Sequence, residues 1–201
     1  MPGLSDRAVE GLKMAAPESL YEEIVIAGFG GQGIILTGKL LAQTAMKAGR
    51  EVTYMPSYGA EVRGGTANCM VIISSQPIAC PVVSEPESLI VMKKASLHKF
   101  GPRLKPNGVL LWNSCLIDHP PELNGDAQMV AVPADEVAVE LGSPKSANMV
   151  MLGAYLQKRG HLTPNEASEA LRDVLAERYH KTIDVNTEAL RRGAEFAVCH
   201  A

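Results

Sequence analysis

The hexapeptide Gly28-Phe29-Gly30-Gly31-Gln32-Gly33 constrains the fold of this chain more than any other feature. It follows Glu23-Ile24-Val25-Ile26-Ala27, a short apolar run of the kind that forms a central parallel strand. The stretch from Gly33 to Gly49 then reads as a helix, with Ile34, Ile35, Leu40, Leu41, Ala45 and Ala48 on its apolar side and Gly49 as its stop. In a G-x-G-x-x-G turn between strand and helix, each glycine has a reason. The first permits the tight turn, the second lets backbone approach a phosphate, and the third allows close helix–strand packing. Free amides at the helix start, with the helix dipole, favour an anion there. The same glycines would also serve a fold that binds nothing, where they only shape the turn.

The pattern continues as alternating strands and helices. Val52 to Met55 reads as a second strand, closing a β–turn–α–β unit of about 30 residues. Thr66 to Ser74, Ser88 to Met92, Val109 to Asn113 and Met129 to Val132 read as further strands, with a helical segment through Leu97 and Phe100. Beyond residue 133 the segments Ala134 to Leu141, Ala147 to Arg159, Pro164 to Tyr179 and Thr187 to Val198 all read as helices. Thr163-Pro164-x-Glu166 carries a start signal, with Thr as N-cap, Pro at the first helical position and Glu in the first turn. The expectation is an α/β fold of Rossmann-like type: a mainly parallel sheet with helices on both faces and a helical C-terminal third. Residues 1–21 form an N-terminal arm, with Ser5 as N-cap and Pro17 as stop of a short helix, and residues 22–201 form a single domain.

Bulk properties narrow the classes. A chain of 201 residues with 46% hydrophobic and 20% charged residues can bury a core without disulfides or metal. A net charge of −3, with Lys and Arg spread along the chain, gives no case for nucleic acid or an anionic membrane. No stretch reaches the roughly 20 apolar residues that span a bilayer, and the start lacks a signal-peptide core. A cytoplasmic location is expected. Cys69, Cys80, Cys115 and Cys199 form no Cys-x-x-Cys pair, and the five histidines show no ligand spacing. No metal is expected on this chain alone.

A dinucleotide site usually needs Asp or Glu at the end of the second strand to hold ribose hydroxyls. Tyr54-Met55-Pro56-Ser57 stands there instead, and Glu51 lies at the wrong end of the strand. The next loop is more informative. Pro56-Ser57-Tyr58-Gly59-Ala60-Glu61-Val62-Arg63-Gly64-Gly65-Thr66-Ala67-Asn68 leaves the sheet edge where α/β folds bind ligands. Arg63 can grip phosphate or carboxylate bidentately, Gly64 and Gly65 admit close backbone approach, and Tyr58 offers a ring and a hydroxyl. Glu61 could orient Arg63 or pair with a partner; it could equally form a solvated surface pair with it.

The glycine turn followed at this spacing by the Arg63-Gly64-Gly65 loop resembles the gamma subunit of 2-oxoacid:ferredoxin oxidoreductases. The resemblance continues through residues 88–92, 108–113 and 147–154 and covers roughly residues 22–195, and the loop is most similar to the 2-oxoglutarate and 2-oxoisovalerate types. It implies a non-catalytic subunit of a complex with alpha and beta partners, with room for a ferredoxin-like delta subunit. Those partners would carry thiamine pyrophosphate, Mg²⁺ and iron–sulfur clusters, and electrons would leave through ferredoxin. This chain would contribute CoA binding and assembly, without a cofactor of its own. Gly28, Gly30, Gly31, Gln32, Gly33, Tyr58, Glu61, Arg63, Gly64, Gly65 and Thr66 are its expected CoA-binding residues. A docking subunit without a ligand is the alternative from another class, a branched-chain 2-oxoacid or pyruvate-type subunit the alternative within it. The isolated chain is expected to be inactive, and to self-associate through surfaces that partners normally cover.

Overall fold

The computed structural model describes residues 20–58, 65–119, 123 and 125–199. Six strands form one sheet: β1 (Tyr21–Phe29), β2 (Glu51–Tyr58), β3 (Thr66–Ser74), β4 (Ser88–Val91), β5 (Val109–Asn113) and β6 (Gln128–Val132), in the order β2-β3-β1-β4-β5-β6. The helices are α1 (Ile34–Lys47), α2 (Lys94–Phe100), α3 (Ala134–Glu140), α4 (Ala147–Arg159), α5 (Pro164–Val174) and α6 (Ile183–Cys199). The α/β expectation holds, and so does the helical C-terminal third. The helix read as Pro164 to Tyr179 ends at Val174 and is followed by a 3-10 segment, Glu177–Thr182. At its start Thr163 and Glu166 form a reciprocal capping box with Pro164 in the first turn. The expected cap and stop of the N-terminal arm, Ser5 and Pro17, lie outside the described residues.

One strand departs from a simple crossover. β2 does not neighbour β1, because β3 runs between them, antiparallel to both. The pairs β1–β4, β4–β5 and β5–β6 are all parallel. Composition explains which strand takes the edge. β3 is apolar on both faces and buried along most of its length, whereas β2 is mostly exposed and carries Pro56, which cannot donate to a second ladder. The chain therefore crosses over β1 with α1, lays down an edge strand, and returns to fill the gap.

The sheet is covered unevenly. Ile24, Ile26, Val71, Ile73 and Leu111 face the large core beneath α1, α3, α4, α5 and α6. The opposite face, with Val25, Ala27, Ile72, Leu89 and Leu110, is covered by α2, the irregular segment around Val83 and Ile117. Helices do lie on both faces, but only one short helix covers the second.

Within the thick layer α4 and α6 cross at contact distance. A Cβ at Gly153 would run into the Leu190 carbonyl oxygen, and one at Gly193 into the Val150 carbonyl oxygen. Backbone cannot yield as a side-chain end does. Either Gly153→Ala or Gly193→Ala should therefore cost about 2–3 kcal/mol, read as a lower thermal midpoint.

At the start of β1 the carboxylate of Glu22 is 1% exposed. Its Oε1 accepts from Ser88 Oγ at 2.7 Å, Arg159 Nε at 2.8 Å and Tyr155 Oη at 3.1 Å. Its Oε2 lies 3.1 Å from His161 Nε2, out of line for a good hydrogen bond. Burial by itself would raise this pKa, but His161, Ser88 and Arg159 more than offset it and hold the carboxyl below its ordinary value near 4.5. A carboxyl with a lowered folded pKa contributes stability that is in place above the unfolded value and lost as pH falls through the folded one. Glu22→Gln should thus cost roughly 3 kcal/mol at neutral pH. The gap to the parent should narrow as the pH falls below about 4.5, which urea midpoints at stepped pH will show.

Candidate functional site

The C-terminal ends of β1, β2, β4 and β5 and the N-terminal end of β3 lie at one edge of the sheet. The glycine turn lies at this edge. Gly28 is buried at the end of β1, where a Cβ would approach Gln32 Oε1 to 2.5 Å. Gly30 and Gly31 are exposed, and Gly31 has a φ of 104°, which a side chain would resist. Gly33 caps α1 with a φ of 74°. No side chain caps this helix and no acid stands in its first turn, so its first amides remain open to an acceptor.

Gln32 is committed to the frame. Its Oε1 accepts from the Phe29 amide at 3.0 Å and its Nε2 donates to the Met92 carbonyl at 2.9 Å, stapling the end of β1 to that of β4. What the turn offers outward is therefore backbone. Two further helices start beside it. Ser96, in α2, donates to the Gly28 carbonyl at 3.2 Å. Asn148, at the start of α4 and 4% exposed, donates to Thr37 Oγ1 at 3.1 Å and to the Gly33 carbonyl at 3.3 Å. Lys93, just before α2, sits 4.8 Å over the Phe29 ring. Asn148, Thr37 and Lys93 were not among the expected site residues. Nothing in local spacing could single out Asn148, because it meets the turn from 115 residues away.

The second loop reaches the same place. Tyr58, 72% exposed, ends β2, and exposed Thr66 begins β3 opposite Phe29. The Gly65 carbonyl accepts from the Gly30 amide at 2.9 Å, which ties the end of the loop to the glycine turn. Glu61, Arg63 and Gly64 lie outside the described residues. The structure thus brings together Gly28, Gly30, Gly31, Gln32, Gly33, Tyr58, Gly65 and Thr66 at one edge.

The nearest thiol is poor chemistry. Cys69 is fully buried under α1, and burial pushes its pKa up to about 12, so it stays protonated. Tyr54, likewise raised by burial to about 12, donates to the Ile35 carbonyl at 2.8 Å. Among the described residues no three His, Cys, Asp or Glu side chains gather as a metal site, and all four cysteines are free thiols standing apart. These residues do not fit an iron–sulfur cluster. None of the described helices is long and apolar enough to cross a membrane.

The glycine turn and the residue that precedes β3 are tied together at the ligand edge of this α/β sheet, and residues 23–196 match the family model for pyruvate ferredoxin/flavodoxin oxidoreductases. The chain belongs to that family, and within it to the gamma-subunit type of 2-oxoacid:ferredoxin oxidoreductases. It is similar to the 2-oxoglutarate synthase subunit KorC of Methanocaldococcus jannaschii, at 34% identity over 89% of this chain and 95% of that one. The solved gamma subunit of a keto/oxoacid ferredoxin oxidoreductase from Geobacter sulfurreducens superposes with a TM-score of 0.76 at 30% identity, over 89% of this chain and 97% of that one. The 2-oxoglutarate:ferredoxin oxidoreductase of Magnetococcus marinus, solved with 2-oxoglutarate, coenzyme A and succinyl-CoA bound, superposes with a TM-score of 0.80 at 27% identity, over 89% of this chain and 31% of that one. The ketoisovalerate oxidoreductase subunit VorA of Methanothermobacter marburgensis is 35% identical over 90% of this chain, which spans only 37% of VorA's length.

The Gly33–Asn148 contact makes a sharp prediction. A Cβ at Gly33 would collide with the Asn148 amide in an already left-handed backbone. Gly33→Ala should cost about 2 kcal/mol, and Asn148→Ala should recover part of that loss, giving about 1 kcal/mol of non-additivity in a double-mutant cycle.

Proposed function

We propose that this chain serves a thiamine- and CoA-dependent 2-oxoacid:ferredoxin oxidoreductase of the 2-oxoglutarate type, contributing CoA binding and assembly. In that reaction 2-oxoglutarate loses CO2, the acyl group passes to CoA to give succinyl-CoA, and electrons leave to ferredoxin. Thiamine pyrophosphate, Mg²⁺ and the iron–sulfur clusters would belong to alpha and beta partners, with a ferredoxin-like delta subunit as a further candidate. The relatives named for 2-oxoglutarate support the substrate type, and the VorA similarity keeps a branched-chain 2-oxoacid as the alternative.

The observation that carries the CoA reading is the open anion cradle. The exposed Gly31 backbone and the uncapped start of α1 present amide donors beside Lys93, with no carboxylate in the first turn to compete. Arg63 and Gly64 on the tethered loop would complete it, and Glu61 would orient Arg63. With Cys69 held protonated, the chain's contribution is to bind and orient a substrate for chemistry done elsewhere. Exposed Tyr58 at the same edge fits a surface that a partner covers.

The test uses the enzyme copurified through a tag on this chain. Arg63→Ala should raise the apparent KM for CoA by roughly tenfold, the loss of a charge-assisted phosphate contact, and leave that for the 2-oxoacid unchanged. An unchanged KM for CoA would instead favour a docking subunit without a ligand, and the preferred 2-oxoacid in the same assay fixes the substrate type.

A further inference from the structure

The sheet has two outer edges, and they are built differently. β2 begins at Glu51 and carries Pro56, a charge and a missing donor that discourage pairing with a further strand. β6 has no charged residue and no proline, and its register with β5 is unbroken from Gln128 to Val132. It lacks the usual guards of an edge strand. Two hydrogen bonds fix the direction of its backbone groups. The Gln128 amide donates to the Gly108 carbonyl at 2.8 Å, and the Val132 carbonyl accepts from the Ser114 amide at 2.9 Å, so both residues face β5. Alternation along the strand then turns the N–H and C=O of Met129 and Ala131 outward, away from the sheet. Among the described residues nothing pairs with them, since β6 ends the sheet and no loop bonds to either.

The surroundings say what kind of strand would fit. From Pro106 to Pro144 the chain has Asp118, Glu122, Asp126, Asp135, Glu136 and Glu140 and no Lys or Arg. Asp126 stands just before β6, and Asp135 and Glu136 just after it. Asp135 accepts from Asn113 at 2.6 Å, and Glu140 pairs with Arg192. The exposed Asp118, Asp126 and Glu136 have no cation partner among the described residues. A second copy of this chain would bring the same acids to the same edge, whereas a basic segment would neutralise them.

We infer that the outer edge of β6 is the docking site for an extended basic segment of another polypeptide, which adds to the sheet as a further strand. The two outward residues offer two donors and two acceptors to its backbone. Register sets Met129 beside Leu110 and Ala131 beside Trp112, in the thinner apolar layer of the sheet. Met129 is 51% exposed, so apolar residues on one face of the incoming strand would cover it and extend that layer. Lys or Arg at the ends of the segment would meet the acids that bracket β6. The edge uses none of the residues of the glycine-turn cradle. It rests on the assembly reading only for the source of the segment, a partner subunit of the complex.

The probe is a synthetic peptide of alternating valine and threonine with lysines at both ends, added to the full chain and followed by amide hydrogen exchange. The Met129 and Ala131 amides should exchange about tenfold more slowly with it, while those of Gln128 and Val130, which face β5, change little. The same peptide with glutamates at its ends should bind about tenfold more weakly. Ala131→Pro removes one outward donor and no bond to β5, so it should weaken the lysine peptide about tenfold with the thermal midpoint near the parent's. Met129→Lys, at an exposed position, should weaken it too, by charge. No slowing at Met129 and Ala131, equal binding of the two peptides, or binding indifferent to both substitutions would overturn the inference. So would a dimer of this chain that Ala131→Pro dissolves, because the occupant is then a second copy. Loss of partner subunits from the tagged Ala131→Pro enzyme supports the edge; an enzyme that copurifies whole removes it as an assembly contact and spares the CoA reading. Peptide binding by a parent chain that brings down no partner would strike the assembly reading and leave the edge standing.

Discussion

The antiparallel pairing of β3 with β1 is the constraint on which the rest of the molecule depends. Its register sets Gly28 against Ala67 and Phe29 against Thr66, so the loop ending at Gly65 must arrive beside the glycine turn. The Gly30–Gly65 hydrogen bond then follows from geometry. β3 also displaces β2 to the edge, where exposed polar residues and Pro56 are tolerated. In a dinucleotide fold the second strand lies next to the first and brings its acid to the ribose. Here a whole strand separates them, which gives the missing acid after Tyr54 a structural meaning.

The site is organised by converging helix starts held by a few amide side chains. Gln32 joins β1 to β4, and Asn148 joins α4 to α1. Both direct their recorded side-chain hydrogen bonds inward, and the backbone at Gly31 is left to face outward. A rigid frame with exposed amides suits anion recognition, since the donors are already ordered before a ligand arrives.

Strands, α4, the capping box at Thr163 and the glycine turn were all legible in the sequence, because each rests on local periodicity or local cap chemistry. The place of β3 was not, since a short apolar run reads the same whether its neighbour is parallel or antiparallel. Nor was the place of Lys93 over the Phe29 ring beside the glycine turn, since the two lie in elements far apart in the chain. Gln32 looked like a ligand contact from its position in the motif. Its side chain proves to be bonded within the fold, which only the Met92 carbonyl, 60 residues on, could reveal. The left-handed cap at Gly33 fits the motif, but its tight packing needs Asn148 from a distant helix.

The buried Glu22 cluster and the glycine turn occupy opposite ends of the same strand. From Glu22 to Phe29 the strand advances by about seven residues, roughly 23 Å of extended backbone. At that distance, more than two Debye lengths for the solvent-facing parts of Arg159 and His161, charge changes at this end reach the anion cradle only weakly. The chain therefore carries two independent handles: one end can be tuned for durability in acid while the other keeps its affinity for negative charge.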